Sequence, residues 1–187
     1  MVMSTPEPVA DGPLALQLAA YGLRWPQERG LAKQFEALLG DPLNPFLRSR
    51  TAGHFTASAW LVSADGVRAL LTHHRKLERW LQPGGHADGD RDTAQVALKE
   101  AREESGLQGL QVEADSIFDL DRHWIPAHRE VPGHWHYDLR YVVHAGNDEC
   151  FVVSEESIAL AWRPILQLAL DPDPSISRMA SKWLAKA

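Results

Sequence analysis

The chain has 187 residues, a formal net charge of −6 and 44% hydrophobic residues, enough for one sizeable domain and an appendage. The negative charge offers no basic field that would attract nucleic acid. A single cysteine, Cys150, excludes an internal disulfide framework. No apolar stretch approaches the ~18 residues that a membrane span requires, and residues 1–13 lack the features of a signal peptide. The composition therefore predicts a cytoplasmic protein without membrane or nucleic-acid partners.

The first fifty or so residues predict a helical preface to the main domain. Amphipathic patterns over 14–23 and 31–39, separated by Trp25-Pro26, predict two helices. Such a pair could dock on the domain or form the contact of a homodimer. The expected divisions are a flexible tail at 1–12, a helical extension at 13–50 and a main domain at 51–187.

Beyond residue 50 the pattern changes to short runs that are typical of β-strands. The turn Ala64-Asp65-Gly66 predicts a hairpin between the first two runs. A closing helix is predicted over 176–186. The predicted strands are 54–63, 67–72, 110–120, 135–145 and 159–162.

The most informative segment is a glycine-rich turn followed by a capped helix. Pro83-Gly84-Gly85 cannot be helical. Asp92 or Thr93 is suited to begin a helix as its N-cap, and Gly106 is suited to end it in a left-handed conformation. Turn, helix and glycine stop therefore predict a complete structural unit.

This helix carries three glutamates on one side. Around the helix axis, Glu103 and Glu104 lie roughly 60° and 40° to either side of Glu100. Like charges at this spacing destabilise an isolated helix, which suggests a compensating cation, and carboxylate oxygens are the ligands that Mg²⁺ prefers. The alternative is an ordinary solvated acidic face. The glycine-rich turn before the helix and the capping residues at its two ends favour a metal site over a solvated face.

The segment resembles the Nudix box, Gly-x5-Glu-x7-Arg-Glu-U-x-Glu-Glu-x-Gly-U with U a bulky aliphatic residue, which is the signature of the Nudix hydrolases. The matching residues are Gly85, Glu100, Glu103, Glu104, Gly106 and Leu107. The resemblance implies an α+β fold, the Nudix-type α/β/α sandwich with a mixed β-sheet. It also implies Mg²⁺- or Mn²⁺-dependent hydrolysis of the pyrophosphate bond in a nucleoside diphosphate linked to another moiety. By the same resemblance Glu100, Glu103, Glu104 and a backbone carbonyl near Gly84 would bind the metal.

Three positions depart from the box. Arg91 stands in place of the first glutamate, Lys99 in place of the arginine, and Ala101 in place of the larger aliphatic residue. Lysine keeps the charge but lacks the bidentate fork of arginine. Asp90 and Asp92 flank Arg91 and could take over the bracing or ligand role of the missing glutamate. We therefore expect an active enzyme in which the residues around the three glutamates differ from those of the Nudix box.

The general base has two candidates. One is Glu100 in the helix. The other is Glu155 or Glu156, because some Nudix enzymes draw a base or ligand from outside the box. The alternative for the second segment is structural, with Ser154 capping a helix whose first turn contains the acids.

A second segment, 134–141, alternates between polar and aromatic or apolar residues. Side chains alternate between the two faces of a strand, so one face carries aromatic and apolar residues and is expected in the core. Its members are Trp135, Tyr137, Leu139 and Tyr141. The other face carries His134, His136, Asp138 and Arg140. That polar face could be solvated, could line a substrate pocket in which Arg140 or His136 meets phosphate, or could form a His/His/Asp transition-metal site.

Two further residues are candidates for binding substrate. His86 lies in the box loop and could contact phosphate or metal, or could only shape the turn. Trp80 precedes the loop and, like Trp124, could stack on a base, although burial is the usual role of tryptophan. The rival to a hydrolase is a non-catalytic Nudix-fold sensor that binds a nucleotide-type ligand. A purely structural metal on the acidic helix is the third alternative.

Overall fold

A computed structural model describes residues 12–128, 130–155 and 157–186. The helices are α1 Gly12–Arg24, α2 Arg29–Leu39, α3 Thr93–Ser105, α4 Ile165–Leu168 and α5 Pro174–Lys186, with a 3-10 turn at Pro26–Glu28. The strands are β1 Gly53–Val62, β2 Arg68–His74, β3 Arg79–Leu81, β4 Gly84–His86, β5 Gln111–Val112, β6 Asp119–Ile125, β7 His134–His144 and β8 Ser157–Pro164. No helix among these residues is long and apolar enough to cross a bilayer.

Strand β1 organises the sheet. It runs parallel to β7 along its whole length, from the pair Gly53–Trp135 to the pair Val62–His144. Its other edge pairs antiparallel with β4 near one end and with β2 at the other end. The far side of β7 is covered by β6 and β5, while β2 also pairs with β3 and β8. The predicted mixed sheet is confirmed.

Helices cover both faces of this sheet. Successive side chains of a strand point to opposite faces, so Phe55 and Ala57 of β1 join a core cluster with residues of α1, α2 and α3. Trp60 and Val62 point the other way and pack in a cluster with Met179 of α5. The predicted α/β/α sandwich is therefore confirmed.

The predicted N-terminal helices are also confirmed, and they belong to the core. Leu18 and Tyr21 of α1 and Phe35 of α2 are fully buried. The rings of Phe35 and Phe55 stack with centroids 6.1 Å apart. Burial of a large apolar side chain stabilises a fold by roughly 1.5–3 kcal/mol, so the pair stabilises the sheet that it covers. Of the predicted tail, residues 1–11 lie outside the described residues and Gly12 begins α1.

Two sequence predictions of local structure are wrong. The single strand predicted over 110–120 is two strands, β5 and β6, which pair with different parts of β7 and are separated by a turn. The turn predicted at 84–85 is the start of β4, which pairs with β1. Short strands of this kind depend on a distant partner strand, which local sequence patterns do not reveal.

A buried ion network joins α5 and α1 to the sheet. The carboxylate of Asp119 is fully buried and accepts hydrogen bonds from Arg140 at 3.0 Å, Arg178 at 2.8 Å and Lys182 at 2.6 Å. Burial alone opposes ionisation, but the hydrogen bond from Arg178 and the three positive charges outweigh it and lower the pKa of Asp119. Lys182 also donates to the Tyr21 hydroxyl at 2.6 Å. The charge of Asp119 is thus the shared partner of three cations.

We expect Asp119→Asn to lower the free energy of unfolding by about 3–5 kcal/mol, because it leaves buried cations without their counter-charge. Urea unfolding at neutral pH measures the change. The matched control is Asp65→Asn in the exposed hairpin turn, which should change stability little because the amide keeps the turn's acceptor oxygen. Equal losses in the two variants would contradict a central role for Asp119.

Candidate active site

Helix α3 has the caps that the sequence predicts. The Asp92 side chain accepts a hydrogen bond from the backbone N–H of Gln95 at 3.1 Å, and Gly106 ends the helix at φ 71°. Ala97 and Ala101 are fully buried against the sheet. The small side chains let α3 approach the sheet closely and direct its acids toward β4.

Strand β4 contacts two of the three acids through its glycines. The N–H of Gly84 donates to Oε1 of Glu104 at 2.8 Å. A Cβ atom at Gly85 would lie 2.6 Å from the carboxylate carbon of Glu100, so a side chain at this position would displace that carboxylate. Glu104 is buried and Glu100 half-buried. The two glycines therefore hold a cradle of carboxylate oxygens against the sheet.

The third acid faces solvent. The side chain of Glu103 is 59% exposed, and its Oε2 lies 3.8 Å from Nζ of Lys99. The three glutamates together offer hard oxygen donors, the set that Mg²⁺ prefers. The donor chemistry and the glycine cradle fit a divalent ion of this kind.

The polar face of β7 is buried, so the interpretation of this face as merely solvated is wrong. His134, Asp138 and Arg140 are 7%, 2% and 2% exposed. Arg140 donates from Nε to Asp138 at 2.8 Å and from Nη1 to Asp119 at 3.0 Å. The structure thus places Arg140 inside the ion network rather than at an open anion site.

Asp138 connects β1, β7 and the loop before the box. Its carboxylate accepts hydrogen bonds from Thr56 at 3.0 Å, from Ser58 at 2.8 Å and from the Gln82 amide at 3.3 Å. All of these donors lie beside β4. Asp138 therefore links β1 and β7 to Gln82, two positions before β4.

Histidines gather at the other end of the same face. The ring centroids of His54, His86 and His136 are 4.9–5.2 Å apart. Burial is the largest effect on their protonation and lowers the pKa of His86 to about 4 and that of His136 to about 2. It lowers the pKa of His54 as well. These imidazoles are therefore neutral at physiological pH.

A family model described as the NUDIX domain matches residues 53–184, more than half of the chain. The chain belongs to the Nudix family. The matched range contains α3, β4 and the whole sheet, so the resemblance seen in the acidic segment extends over the fold. No curated protein matches the chain in sequence.

Solved Nudix structures share the fold at low identity. An Ap4A hydrolase of C. elegans is 18% identical, with a TM-score of 0.54 over 70% of this chain and 95% of that one. The E. coli dihydroneopterin triphosphate pyrophosphohydrolase is 16% identical, with a TM-score of 0.55 over 71% and 96%. The NUDIX domain of Shewanella oneidensis NrtR, solved with ADP ribose, is 17% identical, with a TM-score of 0.50 over 81% and 96%.

The residues that depart from the Nudix box have contacts of their own. The guanidinium of Arg91 lies over the ring of Phe46, 5.1 Å from its centroid. Lys99 is paired with Glu103. Asp90 accepts a hydrogen bond from the N–H of Asp92 at 2.9 Å, so that both flanking aspartates shape the start of α3.

The other residues that the sequence analysis offered for substrate binding or as a general base lie in different surroundings. Trp80 is half-buried in β3, with its ring 5.1 Å from that of His73. Trp124 is 51% exposed. Glu155 is exposed and precedes β8, so the alternative in which Ser154 caps a helix there is wrong. Glu156 lies outside the described residues.

Sequence reasoning overlooked the polar face of β1. His54, Thr56 and Ser58 are buried and lie beside β7 in register with His136, Asp138 and Arg140. Their alternation with Phe55 and Ala57 was the available signal. The sequence does not show that β1 pairs with β7, and this pairing determines what the polar face of β1 contacts.

We expect Gly84→Ala to destabilise the fold more than Gly85→Ala. A Cβ at Gly84 would lie 2.7 Å from Cβ of Ser58 and 2.9 Å from the Ala57 carbonyl, neither of which can move freely. Overpacking of this kind costs about 1–3 kcal/mol. At Gly85 the obstacle is the flexible end of Glu100, which can swing aside.

Thermal unfolding of the two variants measures the difference. The matched control is Gly30→Ala in α2, where nothing lies within 4 Å of the added atom and stability should be kept or raised. A Gly85 variant as unstable as the Gly84 variant would contradict the proposed freedom of Glu100.

Proposed function

We propose that this chain is a Mg²⁺- or Mn²⁺-dependent hydrolase that cleaves the pyrophosphate bond of a nucleoside diphosphate linked to another moiety. The observation that carries the proposal is the docking of Glu100 and Glu104 on Gly85 and Gly84. A solvated acidic face would leave its carboxylates in water. Here two of the three are held at defined positions beside a third, Glu103.

Glu100, Glu103, Glu104 and the carbonyl of Gly84 would hold the metal. A bound divalent ion neutralises phosphate charge and lowers the pKa of a coordinated water. The chain's own contribution is positional, since the N–H of Gly84 fixes Glu104. Nζ of Lys99 lies 3.8 Å from Oε2 of Glu103 on the solvent side.

Glu100 is our candidate for the general base. A base must lie within hydrogen-bond reach of the proton that it removes, and the Glu100 carboxylate lies beside Gly85 of β4. Glu156 is kept as the alternative base on the strength of the sequence alone. Separate Gln variants of the two would distinguish them, because only replacement of the true base should remove the acidic limb of the pH–rate profile, over which activity rises as the base loses its proton.

The substrate would lie over β4 and the adjoining polar face. His86 and His136 are half-buried there and are our candidates for contact with it. Trp80 remains a proposal for base stacking. We assign Arg140 to positioning Asp138, because its guanidinium is 3% exposed and bound to carboxylates. Arg48, which pairs with Asp88 and whose side chain is 60% exposed, is a further candidate for contact with phosphate.

The names of two similar structures support this class of reaction, since one is an Ap4A hydrolase and the other a pyrophosphohydrolase. The second candidate function is a nucleotide-binding sensor without turnover. The observation that favours it is the similarity to a NUDIX domain solved with ADP ribose, together with Arg91 and Lys99 in place of the box glutamate and arginine.

We expect Glu103→Gln and Glu104→Gln each to lower turnover by roughly a hundredfold or more, because each removes a ligand charge from the metal. Folding should be kept, since a glutamine carbonyl can still accept from Gly84. The assay measures product release from nucleotide sugars, ADP-ribose, dinucleoside polyphosphates, coenzyme A and nucleoside triphosphates, with Mg²⁺, Mn²⁺ or chelator.

The matched control is Glu36→Gln on the exposed side of α2, which should leave turnover unchanged. Full activity in the Glu103 and Glu104 variants would contradict the metal assignment. Absence of turnover across the panel, with thermal stabilisation by one of the ligands, would favour the sensor.

A further inference from the structure

We propose that His54, His86 and His136 form a second metal site, which binds a transition-metal ion such as Zn²⁺ on the polar face of the sheet. This site is separate from the carboxylates of α3 and uses a different donor chemistry. Imidazole nitrogen suits Zn²⁺ and other transition metals, whereas Mg²⁺ prefers oxygen. The proposal does not depend on the hydrolase proposal.

Sheet register brings the three residues together. His54 of β1 is the direct partner of His136 in the parallel pair with β7. β4 pairs with the opposite edge of β1, and His86 lies beside Thr56 there. The side chains of all three converge on one face, although His54 and His136 are more than eighty positions apart.

The distances are compatible with one ion. One ligand nitrogen from each ring lies within 4.8 Å of those of the other two. Tetrahedral Zn²⁺ with Zn–N bonds of about 2.0–2.1 Å places its ligand nitrogens about 3.3 Å apart. Each ring therefore has to move inward by only about 1 Å, a shift that side-chain rotation provides.

His54 is oriented for ligation. Its side chain is 1% exposed, and Nδ1 lies 3.2 Å from the carbonyl oxygen of Arg50. Because a carbonyl only accepts, Nδ1 carries the proton and Nε2 carries the free lone pair. Nε2 is buried and has no hydrogen-bond partner among the described residues. A bound ion would satisfy this nitrogen.

The protein supplies the outer contacts that metal-binding histidines use. Such histidines usually donate their second N–H to a backbone carbonyl or a carboxylate, as His54 does to Arg50. His134 donates from Nδ1 to the Pro132 carbonyl at 2.8 Å, and its Nε2 lies 3.1 Å from Nε2 of His136. His134 therefore contacts the His136 ring from one side.

A metal ion has to enter the cluster from solvent. His86 and His136 are half-buried, so that an ion can reach the site from solvent.

The test is Zn²⁺ and Co²⁺ binding to full-length protein that carries no histidine tag and has been stripped with chelator. Competition against a chromophoric chelator gives the affinity and stoichiometry for Zn²⁺. Co²⁺ adds visible absorption bands that report tetrahedral nitrogen coordination. We expect one ion per chain, bound at least about tenfold more weakly by His86→Asn and by His136→Asn, the loss typical of removing even an outer contact.

The matched control is His128→Gln, an exposed histidine outside the cluster, which should bind as the wild type does. Glu103→Gln should also retain the Co²⁺ bands, because it belongs to the other site. Near-ultraviolet circular dichroism confirms folding, and His86→Asn decides the result because His86 is less buried than His54.

The proposal is overturned if the protein retains no Zn²⁺ against the chelator. It is equally overturned if His128→Gln weakens binding as much as His86→Asn does, or if binding is lost in Glu103→Gln and kept in His86→Asn.

Discussion

The parallel pairing of β1 with β7 is the constraint on which the rest of the structure depends. It aligns His54 with His136, and Thr56 with Asp138, on one buried face. Buried charges are tolerated only when they are paired and hydrogen-bonded, so this face requires the cations of Arg140 and α5 and the hydroxyls of β1. The ion network and the polar site are therefore two parts of one arrangement.

The glycines of β4 connect that face to the acidic helix. Gly84 leaves room for the Ser58 side chain and donates its N–H to Glu104, while Gly85 leaves room for Glu100. One short strand thus contacts both the sheet and α3. The same strand contributes His86, so a change in β4 would be felt by the carboxylates and by the histidines together.

Local signals predicted what is locally determined. The caps at Asp92 and Gly106 lie at the two ends of one helix, and the sequence alone predicted them correctly. The burial of Arg140 and the role of His54 depend on strands that are distant in sequence. Their surroundings are set by the register in which β7 pairs with β1 and β6, and this register exists only in the folded sheet. The turn predicted at 84–85 failed for the same reason, since β4 exists only through β1.

The central claim is that α3 and β4 together hold a divalent ion. Diffraction at the manganese absorption edge from crystals grown with Mn²⁺ tests it most directly. We expect an anomalous peak within about 2.5 Å of carboxylate oxygens from Glu100, Glu103 and Glu104. A well-ordered structure with these carboxylates turned toward solvent, and with the manganese absent or bound elsewhere, would contradict it.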